Sequence, residues 1–535
     1  MTPNAVQIEL TSGSVDFGLA EQVLVQEKQG CQMVAWHQQS LRDSGGLSPG
    51  VHRKGEAPAE PLESLLGRSL ALPSIGPPFS TQLGSRILKL TLAVVAALLF
   101  GPKTATHAAG YSRPNIILIM VDDFGYECVT SNGGQSYQTP NIDKLARTGV
   151  RFENCHVQPL CTPTRVQLMT GKYNIRNYLK FGTLVRTETT FGHLFQQAGY
   201  NTGICGKWQL GHELDSPQHF GFDESCLWQQ TRRPPRYTNP GLEYNGVEKD
   251  FTAGEYGPEL VNDFALDFIT RHREQPFFLY YPMILTHSPF QPTPDSPDWD
   301  PTTRTEKELQ DVKHFADMTA FTDQMVGRVV AKLEELSLRE NTLLIFIGDN
   351  GTLGSVTSRF KGADFQGGKG KTTHRGTHVP CVVNWPAAMK QYTVNTDLIS
   401  STDFLPTICD AAGIDVPADT DGVSFLPQLR GEAGTPREWL YSWYSPRQRA
   451  DLSVRECAFN HQYKLYRSGE FFNLMHDQDE KHPLEIDSLD AAGTAALNNL
   501  QAVLVKFEDA RPIELDREFE QSADEKRPAR NKRSD

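Results

Sequence analysis

Two uninterrupted apolar runs of strand length stand out along the chain. One is Ile116-Ile117-Leu118-Ile119-Met120-Val121 after Asn115, the other Leu343-Leu344-Ile345-Phe346-Ile347 after Thr342. Apolar residues at successive rather than alternate positions predict strands covered on both faces, the pattern of a parallel sheet between helices. Between these runs the spacing lengthens to three and four: Leu260, Phe264, Phe268 and Ile269 predict a helix over 258–273. A strand over 276–283 follows, then a second long helix over 316–336. Pro163 suits the first turn of a shorter helix that runs to Thr170 and stops at Gly171. Such alternation predicts an α/β fold, with a large, mainly parallel mixed sheet covered by helices. Beyond Trp439 the texture changes to short strands at 457–460, 463–467 and 470–474.

Ahead of this core, residues 1–85 carry loop clusters such as Ser44-Gly45-Gly46 and Gly76-Pro77-Pro78 and no sustained period. Then come Arg86-Ile87-Leu88-Lys89, an apolar run from Leu90 to Phe100, and small residues ending at Ala108-Ala109. That is the order of a secretory leader, and the run is too short for a bilayer, which takes about 20 residues. The expectation is export to a periplasmic, extracellular or lumenal space, with translation beginning near Leu83 and no stable membrane span. The layout is then an extension at 1–85, a leader at 86–109 and a catalytic α/β domain at 110–438. A small-sheet subdomain at 439–510 and a disordered tail at 511–535 complete it.

Charge and cysteines narrow the function. The 535 residues hold 52 Lys and Arg against 65 Asp and Glu, a net charge of -13. That balance excludes nucleic acid as a general partner, since phosphate affinity needs a basic face. A few buried cations can still hold a small anion inside an acidic shell. Nine cysteines with no C-x-x-C pair lend no support to a zinc ribbon or a thioredoxin-like motif.

Candidate chemistry lies where the apolar runs end. Asp122-Asp123 closes the first and Asp349-Asn350 follows the second. Open α/β sheets bind ligands at the carboxyl ends of their strands, and Asp and Asn oxygens are hard donors suited to a divalent cation. Acidic pairs and Asn-Gly steps are also ordinary caps and turns. The two ends gain meaning only with a third element, Cys161-Thr162-Pro163-Thr164-Arg165. It puts Cys161 at a helix N-terminus, where free N–H groups favour an anion, with Arg165 one turn on.

This pentapeptide resembles the C-x-P-[ST]-R signature of the sulfatase family, within the alkaline-phosphatase superfamily. Other elements match in the family's order. Asp122-Asp123 resembles its first metal pair, Gly206-Lys207-Trp208 its G-K-W lysine, and Thr286-His287-Ser288-Pro289 its T-H-x-P histidine. Asp349-Asn350-Gly351 resembles the second metal pair and Gly368-Lys369-Gly370 the second active-site lysine. The resemblance implies an alkaline-phosphatase-like fold with a small antiparallel C-terminal sheet, and hydrolysis of sulfate esters. It implies that a formylglycine-generating enzyme converts Cys161 to Cα-formylglycine, whose hydrate is the nucleophile. It further implies that Asp122, Asp123, Asp349 and Asn350, with residue 161, hold Ca2+ in preference to Mg2+. By the same resemblance Arg165 adjoins the diol, Lys207 and Lys369 hold sulfate oxygens, and His287 protonates the leaving group. The expected substrate is a sulfated small molecule or a sulfated glycan.

One position departs from the family. It reads G-K-W-H-L-G where this chain has Gln209; the resemblance implies that this histidine takes a proton to release sulfate, which an amide cannot do, so that step is the one affected, and His212 lies nearby. Lys371 rivals Lys369, and the spacing to Pro380 favours Lys369. His374, Arg375 and His378 are candidate substrate contacts in the same loop. Arg232, Arg233, Arg236 and Tyr237 form a basic-aromatic patch that suits a sulfated sugar chain or is an ordinary solvated loop. Two rival functions share these motifs: a phosphate or phosphonate monoester hydrolase, and a non-catalytic binder of sulfate esters.

Overall fold

The computed structural model describes residues 113–302, 311–389, 392–448 and 453–524. The expected extension and leader lie outside the described residues, as does the chain beyond 524. The first strands in chain order are β1 (Asn115–Val121), β2 (Val150–His156), β3 (Asn201–Gly206) and β4 (Glu224–Trp228). Next come β5 (Gly241–Tyr244), β6 (Val247–Asp250), β7 (Phe277–Pro282) and β8 (Thr342–Gly348). A two-stranded ribbon, β9 (Thr357–Phe360) and β10 (Ala363–Gln366), precedes β11 (Cys381–Asn384) and β12 (Thr393–Ser400). The main sheet has the order β12-β2-β11-β8-β1-β7-β3-β4-β5-β6. Within it β8, β1, β7, β3 and β4 are parallel neighbours, so their carboxyl ends open on one edge. β11 runs against β8, and β5 and β6 close the other side antiparallel.

β1 shows why the apolar runs are continuous. Ile116, Leu118 and Met120 enter one core with Val166, Leu168 and Met169 of the helix Cys161–Thr170. Ile117, Ile119 and Val121 enter the other, against Val261 and Phe268 of the helix Gly257–Arg271 and Phe321 and Val326 of the helix His314–Glu335. Full burial contributes about 1.5–3 kcal/mol for each such side chain. The end of β1 therefore cannot shift without emptying two cores. These helices and β7 begin and end close to the expected positions.

The C-terminal subdomain is an antiparallel sheet of β13 (Leu440–Tyr444), β14 (Arg455–Phe459), β15 (Tyr463–Tyr466) and β16 (Phe471–Asn473), in that order. Its Tyr441, Trp443, Leu465 and Phe471 join the core that Ile116 enters, which docks the small sheet on the main domain. In place of a disordered tail from 511, Ile513–Asp524 is helical. Its Leu515 is buried, and its Asp516 receives Arg447 at 2.5 Å and Arg511 at 2.8 Å. Arg447, 69 residues upstream of Asp516, is a partner that the tail alone does not contain. Among the described residues no helix is long and apolar enough to cross a membrane.

Candidate functional site

Strand register assembles the site. Val121 pairs with Gly348, so the two acidic strand ends leave the sheet side by side, and Asp123 N–H donates to Asp349 Oδ1 at 3.0 Å. Asp122 N–H donates to Leu285 O at 2.9 Å and Thr286 N–H to Asp122 O at 2.8 Å, which ties the His287 loop to the end of β1. The Tyr237 hydroxyl, from the basic-aromatic patch, donates to the His287 carbonyl. Lys207 leaves β3 with its N–H on Pro282 O at 2.7 Å. At Gly206, where φ is +122°, a Cβ would lie 1.9 Å from Pro282 O, so only glycine lets β3 deliver Lys207 here. Cys161 opens its helix and Gly171 closes it in the left-handed region, as expected. Lys369 arrives on a loop after β10, its N–H on Thr352 O at 3.0 Å, while Lys371 is exposed.

The side chains then interlock. Asp122, Asp123, Cys161 and Asp349 each offer a donor atom within 4.8 Å of the others. Lys207 Nζ meets Asp122 Oδ2 at 2.5 Å and lies 3.5 Å from Cys161 Sγ, which is itself 3.4 Å from Asp122 Oδ1. Lys369 Nζ meets Asp123 Oδ1 at 2.5 Å, and Asn350 Nδ2 donates to the same atom at 2.8 Å. Arg165, fully buried, donates to Asp349 Oδ2 at 3.1 Å and to Lys207 O at 2.5 Å. His287 holds Nε2 3.8 Å from Asp123 Oδ2 and Nδ1 2.5 Å from Ser288 O. Asp122, Asp123, Cys161, Arg165, Lys207, His287, Asp349, Asn350 and Lys369 thus meet in this one cluster.

Burial alone would raise every carboxyl here. At Asp122 it is outweighed by Lys207, then His287 and Arg165, which hold the group well below the usual carboxylate range. At Asp123, Lys369 and His287 do the same. Asp349 goes the other way: burial, then repulsion from Asp122, push it up to about 7 against Arg165. Burial and the neighbouring Asp349 push the Cys161 thiol up, against Lys207 and Lys369. As a cysteine, residue 161 thus carries a thiol and not the nucleophilic thiolate. Burial lowers His287 to about 4, with Asp123 and Asp122 opposing, so its ring is neutral at pH 7. Asn350 Oδ1 is buried and has no hydrogen-bond partner. With three carboxylates beside it, the donor set is hard oxygen and fits Ca2+ or Mg2+.

A cavity of about 370 Å³ opens over Lys207, His287 and Lys369, walled by Gln209, His212, Trp228, Arg233 and Arg236. It shares Phe181, Gly182, Gly211, His212 and Gln448 with a second cavity of about 720 Å³. Gln209 has φ 57°, and its buried Oε1 has no hydrogen-bond partner. Arg236 lies 4.2 Å over the Trp228 ring, whereas Arg232 turns to Asp250 at 2.7 Å. His374 and His378 do not line this cavity: each ring centroid is 5.0 Å from that of His156, and Arg375 pairs with Asp479. Two contributors carry no sequence signal. Trp228 walls the cavity, and the Thr352 hydroxyl braces the acidic loops, accepting from Gly125 N–H at 3.1 Å and donating to buried Glu127 at 2.6 Å.

Clustered carboxylates and buried cations at the ends of parallel strands define a site suited to a divalent cation beside a small anion. The comparisons give that class its family. The family described as Sulfatase matches residues 114–414, and N-sulphoglucosamine sulphohydrolase, C-terminal, matches 372–507. Arylsulfatase A of Bos taurus is 30% identical over 491 residues, covering 79% of this chain and 91% of its own. N-acetylgalactosamine-6-sulfatase of Homo sapiens is 28% identical over 460 residues, with 74% and 86% covered. The crystal structure of Ps i-CgsB in complex with k-i-k-neocarrahexaose superposes with a TM-score of 0.63 at 26% identity, covering 75% of this chain and 94% of that one. The chain belongs to the sulfatase family and is an enzyme that hydrolyses sulfate esters.

Proposed function

We propose that residue 161 works as Cα-formylglycine and that Asp122, Asp123, Asp349 and Asn350 hold Ca2+ beside it. The observation that carries this reading is Cys161 Sγ, buried at a helix N-terminus and 3.4 Å from Asp122 Oδ1. A thiol pushed up by burial is a poor nucleophile, and an oxygen in its place adds one more hard donor to the acidic cluster. Cys161 is 1% exposed, so its conversion by a formylglycine-generating enzyme precedes folding. The leader-like segment at 86–109 makes the mature chain an exported one. When present, Ca2+ and the hydrated aldehyde supply a Lewis acid and an oriented attacking hydroxyl.

The protein's own charges do the rest. Arg165, Lys207 and Lys369 balance Asp122, Asp123 and Asp349, so a sulfate monoester gains no net attraction until a divalent cation makes the site positive. Lys207 and Lys369 then hold sulfate oxygens in a site where fixed charge is strong because water is scarce. His287 must first take up a proton to deliver one to the leaving alcohol, and the sulfate charge beside it raises its pKa toward that state. Gln209 hydrogen-bonds but takes no proton, so release of sulfate is the slow half of the cycle.

The substrate is a sulfated saccharide. Arg233 and Arg236 at the wall suit anionic groups, and the two adjoining cavities hold more than one sugar ring. The names of the relatives support this: one is an N-acetylgalactosamine-6-sulfatase, and one solved structure carries a neocarrahexaose. Mass spectrometry of active enzyme is the direct test, with residue 161 expected about 18 Da lighter than cysteine. Unmodified Cys161 in fully active protein would remove the nucleophile assigned here. Assays on aryl sulfate, aryl phosphate and a panel of sulfated glycans accompany it; faster phosphate turnover refutes the choice of ester.

A further inference from the structure

Neither a helix nor a strand carries Lys369. It stands in a turn, Lys371 N–H bonding Gly368 O at 2.9 Å, between β10 and β11. The main domain anchors the entry to that turn, through Lys369 N–H on Thr352 O and Gly370 N–H on Pro159 O at 2.9 Å. The exit is anchored by the small C-terminal sheet. Lys464 Nζ, from β15, donates to Thr372 O at 2.6 Å and to Glu480 Oε1 at 2.8 Å. Both side chains of this pair are 4% exposed. Tyr466 lies two residues on and shares that face of β15. Its hydroxyl donates to Glu480 Oε2 at 2.5 Å and lies 2.8 Å from Thr372 Oγ1, which is left to donate to it. Asp479 beside Glu480 takes the Arg375 guanidinium, so consecutive acids grip both Thr372, through Lys464 and Tyr466, and Arg375.

A buried ion pair is a costly way to hold a small sheet in place, because the desolvation penalty offsets much of the attraction. Apolar contacts already dock this sheet, through Tyr441, Trp443, Leu465 and Phe471. What the polar cluster adds is direction: it bonds to one carbonyl and one hydroxyl of a single residue, Thr372, three positions beyond Lys369. We propose that Lys464, Tyr466 and Glu480 are positioning residues for Lys369, so that the C-terminal subdomain sets the geometry of the sulfate-binding lysine. The inference rests on the reading of Lys369 given above.

The test uses full-length, modified, Ca2+-loaded enzyme with an aryl sulfate and a double-mutant cycle. Lys464→Met should lower kcat/KM on the order of tenfold and Tyr466→Phe about threefold, and both losses should disappear in a Lys369→Ala background, where there is nothing left to position. Equal fold losses in the two backgrounds overturn the proposal, as does a lowered Tm with kcat/KM unchanged. If Lys464→Met does not fold, Tyr466→Phe carries the same comparison. Unaltered turnover in Lys369→Ala alone refutes the assigned role of Lys369, an outcome distinct from a cycle that simply adds.

Discussion

Lowering the pH from 8 to 5 protonates Asp349 before the other carboxyls of the cluster. Burial and the adjacent Asp122 push it up to about 7, whereas Lys207 and Lys369 hold Asp122 and Asp123 low. His287, lowered to about 4, titrates below this window. A divalent cation binds the ionised site, so its apparent affinity falls by the factor 1 + 10^(7 − pH), roughly twofold at pH 7, tenfold at pH 6 and a hundredfold at pH 5. At pH 5 that is about 2.7 kcal/mol of lost binding. The sign follows from the raised carboxyl: affinity climbs with pH up to 7 and then levels off. Titration calorimetry of Ca2+ into chelator-stripped enzyme, in two buffers of different protonation enthalpy, reads the proton directly. About 0.9 proton should leave per ion at pH 6 and about 0.1 at pH 8. Asp349→Asn should bind more weakly at pH 8 and lose the slope. Equal affinity at pH 5 and 7, or an undiminished slope in Asp349→Asn, would refute the placement of the titrating proton.

Four further outcomes follow from the same geometry. Cys161→Ala should abolish turnover yet bind Ca2+ in calorimetry, since Asp122, Asp123, Asp349 and Asn350 still supply oxygens; loss of both means residue 161 is indispensable to the ion. Gln209→His should raise kcat by about ten- to a thousandfold and remove any pre-steady-state burst, if sulfate release limits the cycle; an unchanged kcat shows that another group already serves. Gly206→Ala forces a Cβ to 1.9 Å from Pro282 O at φ +122°, and denaturant unfolding should show roughly 2–4 kcal/mol lost along with activity. Arg233→Ala should raise KM about tenfold for a multiply sulfated oligosaccharide and leave an aryl sulfate unaffected; equal effects on both place Arg233 outside the saccharide site.

What could be read from the chain alone was whatever its local pattern encodes. β1 and β8 are legible because a strand buried on both faces has no polar alternation, and the acids stand out where the apolar run stops. The helix at Cys161 is legible because its proline and its glycine punctuate it. Between Lys369 and Lys371, which both flank Gly370 in a polar loop, the sequence offers only the spacing to Pro380, which favours Lys369. The structure puts Lys369 Nζ on Asp123 and leaves Lys371 exposed, on a loop held by Thr352 O, Pro159 O and the bond from Lys464 to Thr372 O. The helix at Ile513–Asp524 and the packing of His374 and His378 against His156 escaped for the same reason, as each depends on contacts with distant segments. The site divides along this line. Its acids end strands that two cores lock in place, so they were visible and are rigid. Its second lysine rides a loop held by one local turn bond, by tertiary hydrogen bonds and by its own ion pair with Asp123, and the enzyme's tolerance of change should be narrowest there. A substitution in the C-terminal sheet, remote from every motif, can then lower turnover while leaving the acidic cluster intact.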